Sequence, residues 1–181
     1  MKKKILVTLI AIAFGFSTIY AQNPYKHSFG ITAGNMQALS YKTFGSKYFA
    51  FQVDLGTKYI VTNGSFKNFN LEGVNLWTLE LNPNIMFEGR LFGNMYGLVG
   101  LGASIGYSWS MFQYRGFLGA WNIRKDFGKC GANGIFGLEY KLSAPIALQI
   151  DFRPGYGCLF AENYDAHYFD WSVNLGARYA F

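Results

Sequence analysis

Hydrophobic and polar residues alternate with period two along most of the chain after residue 25, the signature of strands whose side chains point to opposite faces in turn. The last stretch shows it most clearly. Trp171, Val173, Leu175, Ala177, Tyr179 and Phe181 fall on one face, and Asp170, Ser172, Asn174, Gly176, Arg178 and Ala180 on the other. The same alternation predicts strands over Lys26 to Gly34, Ala38 to Phe44, Lys47 to about Gly56, Asn75 to Phe87, Met95 to Ser108, Lys129 to Lys141 and Ile146 to Tyr156. Eight strands result. Gly45-Ser46, Gly89 to Asn94 and Ser143 to Pro145 are short turns, while 57 to 73, 109 to 128 and 157 to 169 are longer connections. Asn63-Gly64 is a hairpin signal. A two-residue turn there would put apolar and polar positions on the same face, so a three-residue connection or a bulge is expected near Asn63-Gly64-Ser65.

Short turns alternating with long connections predict an all-β, eight-stranded antiparallel up-and-down barrel that spans a membrane, with both termini on the short-turn side. Alternation alone leaves two inversions open. A soluble, lipocalin-like barrel turns its apolar face inward, whereas a membrane barrel turns it to lipid. The 51% apolar, 19% aromatic and only 14% charged composition, with 22 glycines, suits a sheet with one face in lipid.

The segment ahead of the strands narrows the destination. Lys2, Lys3 and Lys4 precede an apolar run from Ile5 to about Ile19, and Ile19-Tyr20-Ala21 is an acceptable cleavage site. Residues 1–21 are therefore expected to be a cleaved signal peptide, leaving 22–181 as one barrel domain. Without those three lysines, the 16 basic residues fall to 13 against 10 acidic, too mild a surplus to imply nucleic acid.

Placing the polar face inward puts Lys42, Asp54, Glu80, Glu139, Asp151, Arg153 and Arg178 in the lumen, helped by Gln52, Asn82, Asn84, Gln149 and Asn174. Charges out of water need partners, and an eight-stranded barrel is only just wide enough for side chains. A paired network filling the interior is the expectation, ahead of an open channel. The glycine row Gly100, Gly102 and Gly106 leaves room for polar side chains from neighbouring strands. Centring a hairpin on Ala144 sets Cys130 opposite Cys158 at the far lip, a candidate cross-strand disulfide. Two widely separated His and two Cys make a poor zinc set, and no cofactor motif is present. Trp109, Phe112, Tyr114, Arg115, Phe117, Trp121 and Arg124 form an aromatic and basic connection suited to protein or lipopolysaccharide contacts.

Gly134 to Lys141, Pro145 to Pro154 and Ala177 to Phe181 resemble the small outer-membrane β-barrel proteins typical of Bacteroidetes, with comparable segments at Ala38 to Phe44 and Tyr96 to Gly102. The aromatic end, with Tyr179 and Leu175 at alternate positions, is similar to the C-terminal signal read by the barrel assembly machinery. The resemblance implies an eight-stranded barrel in the bacterial outer membrane, where a monomer in contact with lipid and lipopolysaccharide is expected. Many members of that family have no established activity, so the resemblance implies location and fold more than function; a non-enzymatic structural or surface-interaction role is the expectation. Ser172, His167 and Asp170 near the outer rim keep a lipid-modifying enzyme as an alternative, and a narrow solute channel is another.

Overall fold

The computed structural model describes residues 25–66, 69–116, 119–161 and 164–181, with side chains described outside 60–75, 110–125 and 161–166; the expected signal peptide lies outside the described residues. Eight strands follow in order: β1 (His27–Gly34), β2 (Met36–Phe44), β3 (Phe49–Phe66), β4 (Phe69–Phe92), β5 (Met95–Gly116), β6 (Gly119–Lys141), β7 (Ile146–Ala161) and β8 (Tyr164–Ala180). Each pairs antiparallel with its chain neighbours, and β8 returns to β1 to close the ring. Closure gives the strands of the ring partners on both edges up to the β1–β2 tip, as a sheet in hydrocarbon requires.

The alternation resolves to the lipid-facing inversion. Leu101 is 75% exposed and Leu175 62%, whereas Lys42 and Glu139 are 0% exposed in the lumen. The apolar wall carries two aromatic girdles. Phe49, Tyr140, Tyr179 and Phe181 mark the end that holds the termini, and Tyr59, Trp77, Tyr107, Tyr156 and Trp171 mark the far end. On β3 and β4 the girdles are ten residues apart, Phe49 to Tyr59 and Phe87 to Trp77. At about 3.3 Å per residue and a tilt of about 40° this spans roughly 25 Å, the height of the apolar band of membrane barrels.

Three expected connections are strand instead. The described residues of 57–73, 109–128 and 157–169 extend the ladders, so β3–β4, β5–β6 and β7–β8 run on past the far girdle, to Phe66 and Phe69, Gly116 and Gly119, and Ala161 and Tyr164. The alternation is weaker there because beyond the membrane neither face has to be apolar. The register between β3 and β4 shifts between Thr62 and Gly64, so the bulge expected around Asn63 is present while the hairpin turn is not. The expected glycine row also does what spacing implied: a Cβ at Gly102 would come 1.9 Å from Asn84 Oδ1, and one at Gly100 2.7 Å from Met86 Cγ.

The β1–β2 hairpin is much shorter than the other three hairpins on the far side. It turns through Asn35 alone, with Gly34 at φ +147, where a Cβ would meet Val173 O at 2.3 Å. Ladder pairing of β2 with β3 starts at Met36↔Lys58, and that of β1 with β8 ends at Gly34↔Asn174. Above this tip, β3 and β8 continue with one ladder partner each among the described residues.

Candidate functional site

The lumen is the built part of this molecule, and it is organised in three tiers. Period-two geometry sends even-numbered residues of β1 to β5 and β8 inward and odd-numbered residues of β6 and β7. Five cations (Lys42, Lys58, Lys129, Arg153, Arg178) and five carboxylates (Asp54, Glu80, Glu88, Glu139, Asp151) are buried there, and a sixth carboxylate, Asp170, faces the lumen near the rim.

In the tier nearest the termini, Glu139 is the shared acceptor. Its Oε2 accepts from Lys42 Nζ at 2.8 Å, Arg178 Nη1 at 3.4 Å and the Tyr25 hydroxyl at 3.1 Å. Lys42 also pairs with Glu88. Arg178 donates in addition to Gln149 Oε1 at 2.5 Å and Ser40 Oγ at 3.1 Å. Alongside lies an apolar cluster of Phe44, Ala50, Met86, Leu98 and Ile135. Tyr25 precedes β1 and folds in against this cluster, its ring edge-on to Phe44 at 5.3 Å, with the Lys42 ammonium 5.7 Å from the Tyr25 centroid.

The middle tier centres on Arg153. Its guanidinium reaches Asp54 Oδ2 and Asp151 Oδ1, each at 2.6 Å, in the fork geometry that suits two carboxylates. Amide donors complete the shell. Gln52 and Asn84 donate to Asp54, and Gln149 and Asn174 to Asp151.

The far tier is more open. Lys129 pairs with Glu80, which also accepts from Asn82 at 3.2 Å, and its ammonium lies 5.2 Å from the Tyr168 ring centroid. Lys58 on β3 meets Asp170 on β8 at 2.5 Å, bridging the two strands above the β1–β2 tip. Asn35 and Asn174 tie the tip itself to its neighbours: Val173 N donates to Asn35 Oδ1 and Met36 N to Asn174 Oδ1, both at 3.2 Å. Behind this bridge is a cavity of about 20 Å³ lined by Met36, Lys58, Asn133, Arg153, Tyr168 and Asp170, room for a water or two.

Lys42, Asp54, Glu80, Glu139, Asp151, Arg153 and Arg178 all lie in the lumen as expected, while Lys141, also expected inside, turns to the Leu142 and Ala144 carbonyls at the β6–β7 turn, and the structure adds Lys58, Glu88, Lys129 and Tyr25. Parity was the available signal for three of them, since Lys58 and Glu88 share the even face of Asp54 and Glu80, and Lys129 the odd face of Glu139. Ser172, His167 and Asp170 are not assembled. Ser172 and Asp170 face the lumen, where Asp170 holds Lys58, while His167 points outward.

Cys130 and Cys158 pair in the expected register and face outward as free thiols; Cys158 Sγ lies 3.2 Å from His167 Nδ1. Of the aromatic and basic candidates, Trp109 is half-buried at the far girdle beside Tyr107, ring centroids 6.2 Å apart. Phe112, Tyr114, Arg115, Trp121 and Arg124 sit on the β5–β6 ladder with side chains outside the described residues, and Phe117 lies outside them altogether.

No protein-family model matches the chain, and no curated protein does. Among solved structures it is similar to the crystal structure of Neisserial surface protein A (NspA), with 12% identity, TM-score 0.48, and coverage of 86% of this chain and 93% of that one. It is also similar to the outer membrane protein Ail of Yersinia pestis in a phospholipid bilayer nanodisc, with 16% identity, TM-score 0.38, and coverage of 86% and 97%.

Proposed function

We propose that the chain is an integral outer-membrane scaffold of the kind typical of Bacteroidetes, exported through a cleaved signal peptide. The barrel anchors three long hairpins that meet partners outside the membrane, and it acts as a non-enzymatic monomer in contact with outer-membrane lipid and lipopolysaccharide. One observation carries this reading: the lumen is filled by mutually neutralising side chains while β3–β4, β5–β6 and β7–β8 continue past the far girdle. A filled interior is costly to use for transport. Ladders extended beyond the apolar band present backbone and side chains where a partner can reach them.

Two measurements test it. Fractionated envelopes should carry the protein in the outer membrane, migrating on gels at different positions when boiled and unboiled; recovery in the soluble periplasm would refute the location. Deleting 111 to 124 should leave that heat-modifiable barrel intact and abolish binding of the cells to lipopolysaccharide-bearing or protein partners. An unchanged binding phenotype would remove the display role. A mass change in lipid A that depends on the protein would replace it with the lipid-modifying alternative.

A further inference from the structure

Outside the lumen, one cluster of reactive groups is left without a role in the scaffold. Hydrogen-bond rows set Cys130 of β6 opposite Cys158 of β7, and Cys158 opposite His167 of β8, so two thiols and an imidazole form one outward row at the far girdle. Directly opposed residues of an antiparallel pair have Cα atoms about 4.5–5.5 Å apart, inside the about 4.4–6.8 Å that a disulfide spans. The thiols are not equivalent. Cys130 is exposed, with Ile105 on its other side, whereas Cys158 is half-buried and its sulfur is 3.2 Å from His167 Nδ1. The Tyr156 ring stacks on that imidazole at 5.9 Å and 9°, which fixes the ring plane and aims Nδ1 at the sulfur.

We propose that this row is a thiol–disulfide exchange site, with Cys158 the attacking thiol, His167 its base and Cys130 the resolving thiol, and with a small-molecule or protein disulfide as oxidant. The Cys158 proton passes to His167 Nδ1, and the thiolate attacks one sulfur of the incoming disulfide. A Cys158 mixed disulfide forms, the incoming S–S bond breaks, and the departing thiolate takes its proton from the imidazolium. Cys130 then attacks the Cys158 sulfur, its own proton going to the second departing thiolate. Two protein thiols are oxidised to one disulfide, and the incoming disulfide is reduced to two thiols. A thiolate held by an imidazole is the more reactive form, so order of attack follows from which thiol His167 touches.

The test uses the refolded full chain, reduced and then given oxidised glutathione, with peptide mass spectrometry under non-reducing conditions. An intramolecular Cys130–Cys158 bond is expected. In Cys130→Ser, glutathione should be trapped on Cys158, roughly tenfold faster than on Cys130 in Cys158→Ser, because only Cys158 has an imidazole in place to take its proton as it attacks. Adding His167→Gln should erase that advantage in the Cys130→Ser chain and leave the Cys158→Ser chain unchanged, with heat-modifiable mobility retained in each. Relative iodoacetamide labelling of the two thiols in the unsubstituted chain gives the same ratio should a variant fail to refold. Equal reactivity of the two thiols, indifference of Cys158 to His167→Gln, or absence of the intramolecular bond would overturn the proposal.

Discussion

Near the termini the lumen is sealed twice, by an apolar cluster around Phe44 and Met86 and by a network in which Glu139 serves Lys42, Arg178 and Tyr25 together. At the far end two separate pairs, Lys129 with Glu80 and Lys58 with Asp170, flank a small cavity, and the second of them bridges β3 and β8 across the β1–β2 tip. The contrast shows where stability and adaptability lie. A shared acceptor makes each member of a network depend on the others, whereas losing a separate pair affects only its own two members.

Four substitutions break or sharpen that contrast, read as shifts in urea unfolding of the barrel in detergent or vesicles. Glu139→Ala should be the most damaging, lowering stability by about 3–5 kcal/mol, because Arg178 loses its carboxylate and Lys42 keeps only Glu88. Arg153→Met should cost about 3 kcal/mol, since two buried carboxylates lose their shared cation but keep amide donors from four neighbours. Tyr25→Phe keeps the ring on Phe44 and removes one hydrogen bond to a charged acceptor, worth about 1.5 kcal/mol. Lys58→Met should cost least, about 1 kcal/mol, between the small value of an exposed pair and the several kcal/mol of a fully buried one, because Asp170 keeps 13% of its side chain exposed. Should Lys58→Met prove as damaging as Glu139→Ala, the far bridge would be a structural clasp and the contrast would fail.

Much of this was legible in period-two alternation. The eight strands, the lumen face and the opposition of Cys130 to Cys158 all follow from parity once a hairpin centre is chosen, because a strand has only two faces. Three things were not legible. The direction of inversion was open because a soluble barrel shows the same alternation, and it is decided by the exposure of residues such as Leu101 and Leu175. The far hairpins read as connections because outside the apolar band both faces of 109–128 carry aromatic and basic residues. Tyr25 escaped notice because it precedes the strands, and its contacts with Phe44 and Glu139 join residues far apart in the chain.

The central claim is that paired side chains fill the lumen, so that the barrel is a scaffold and not a pore. Planar-bilayer recording of the refolded full chain in concentrated potassium chloride tests it most directly. The account predicts a quiet baseline across the applied voltage range, with no stepwise openings above protein-free bilayers. Reproducible unitary conductance steps that scale with salt concentration would contradict it, showing that ions pass the Arg153 and Glu139 tiers.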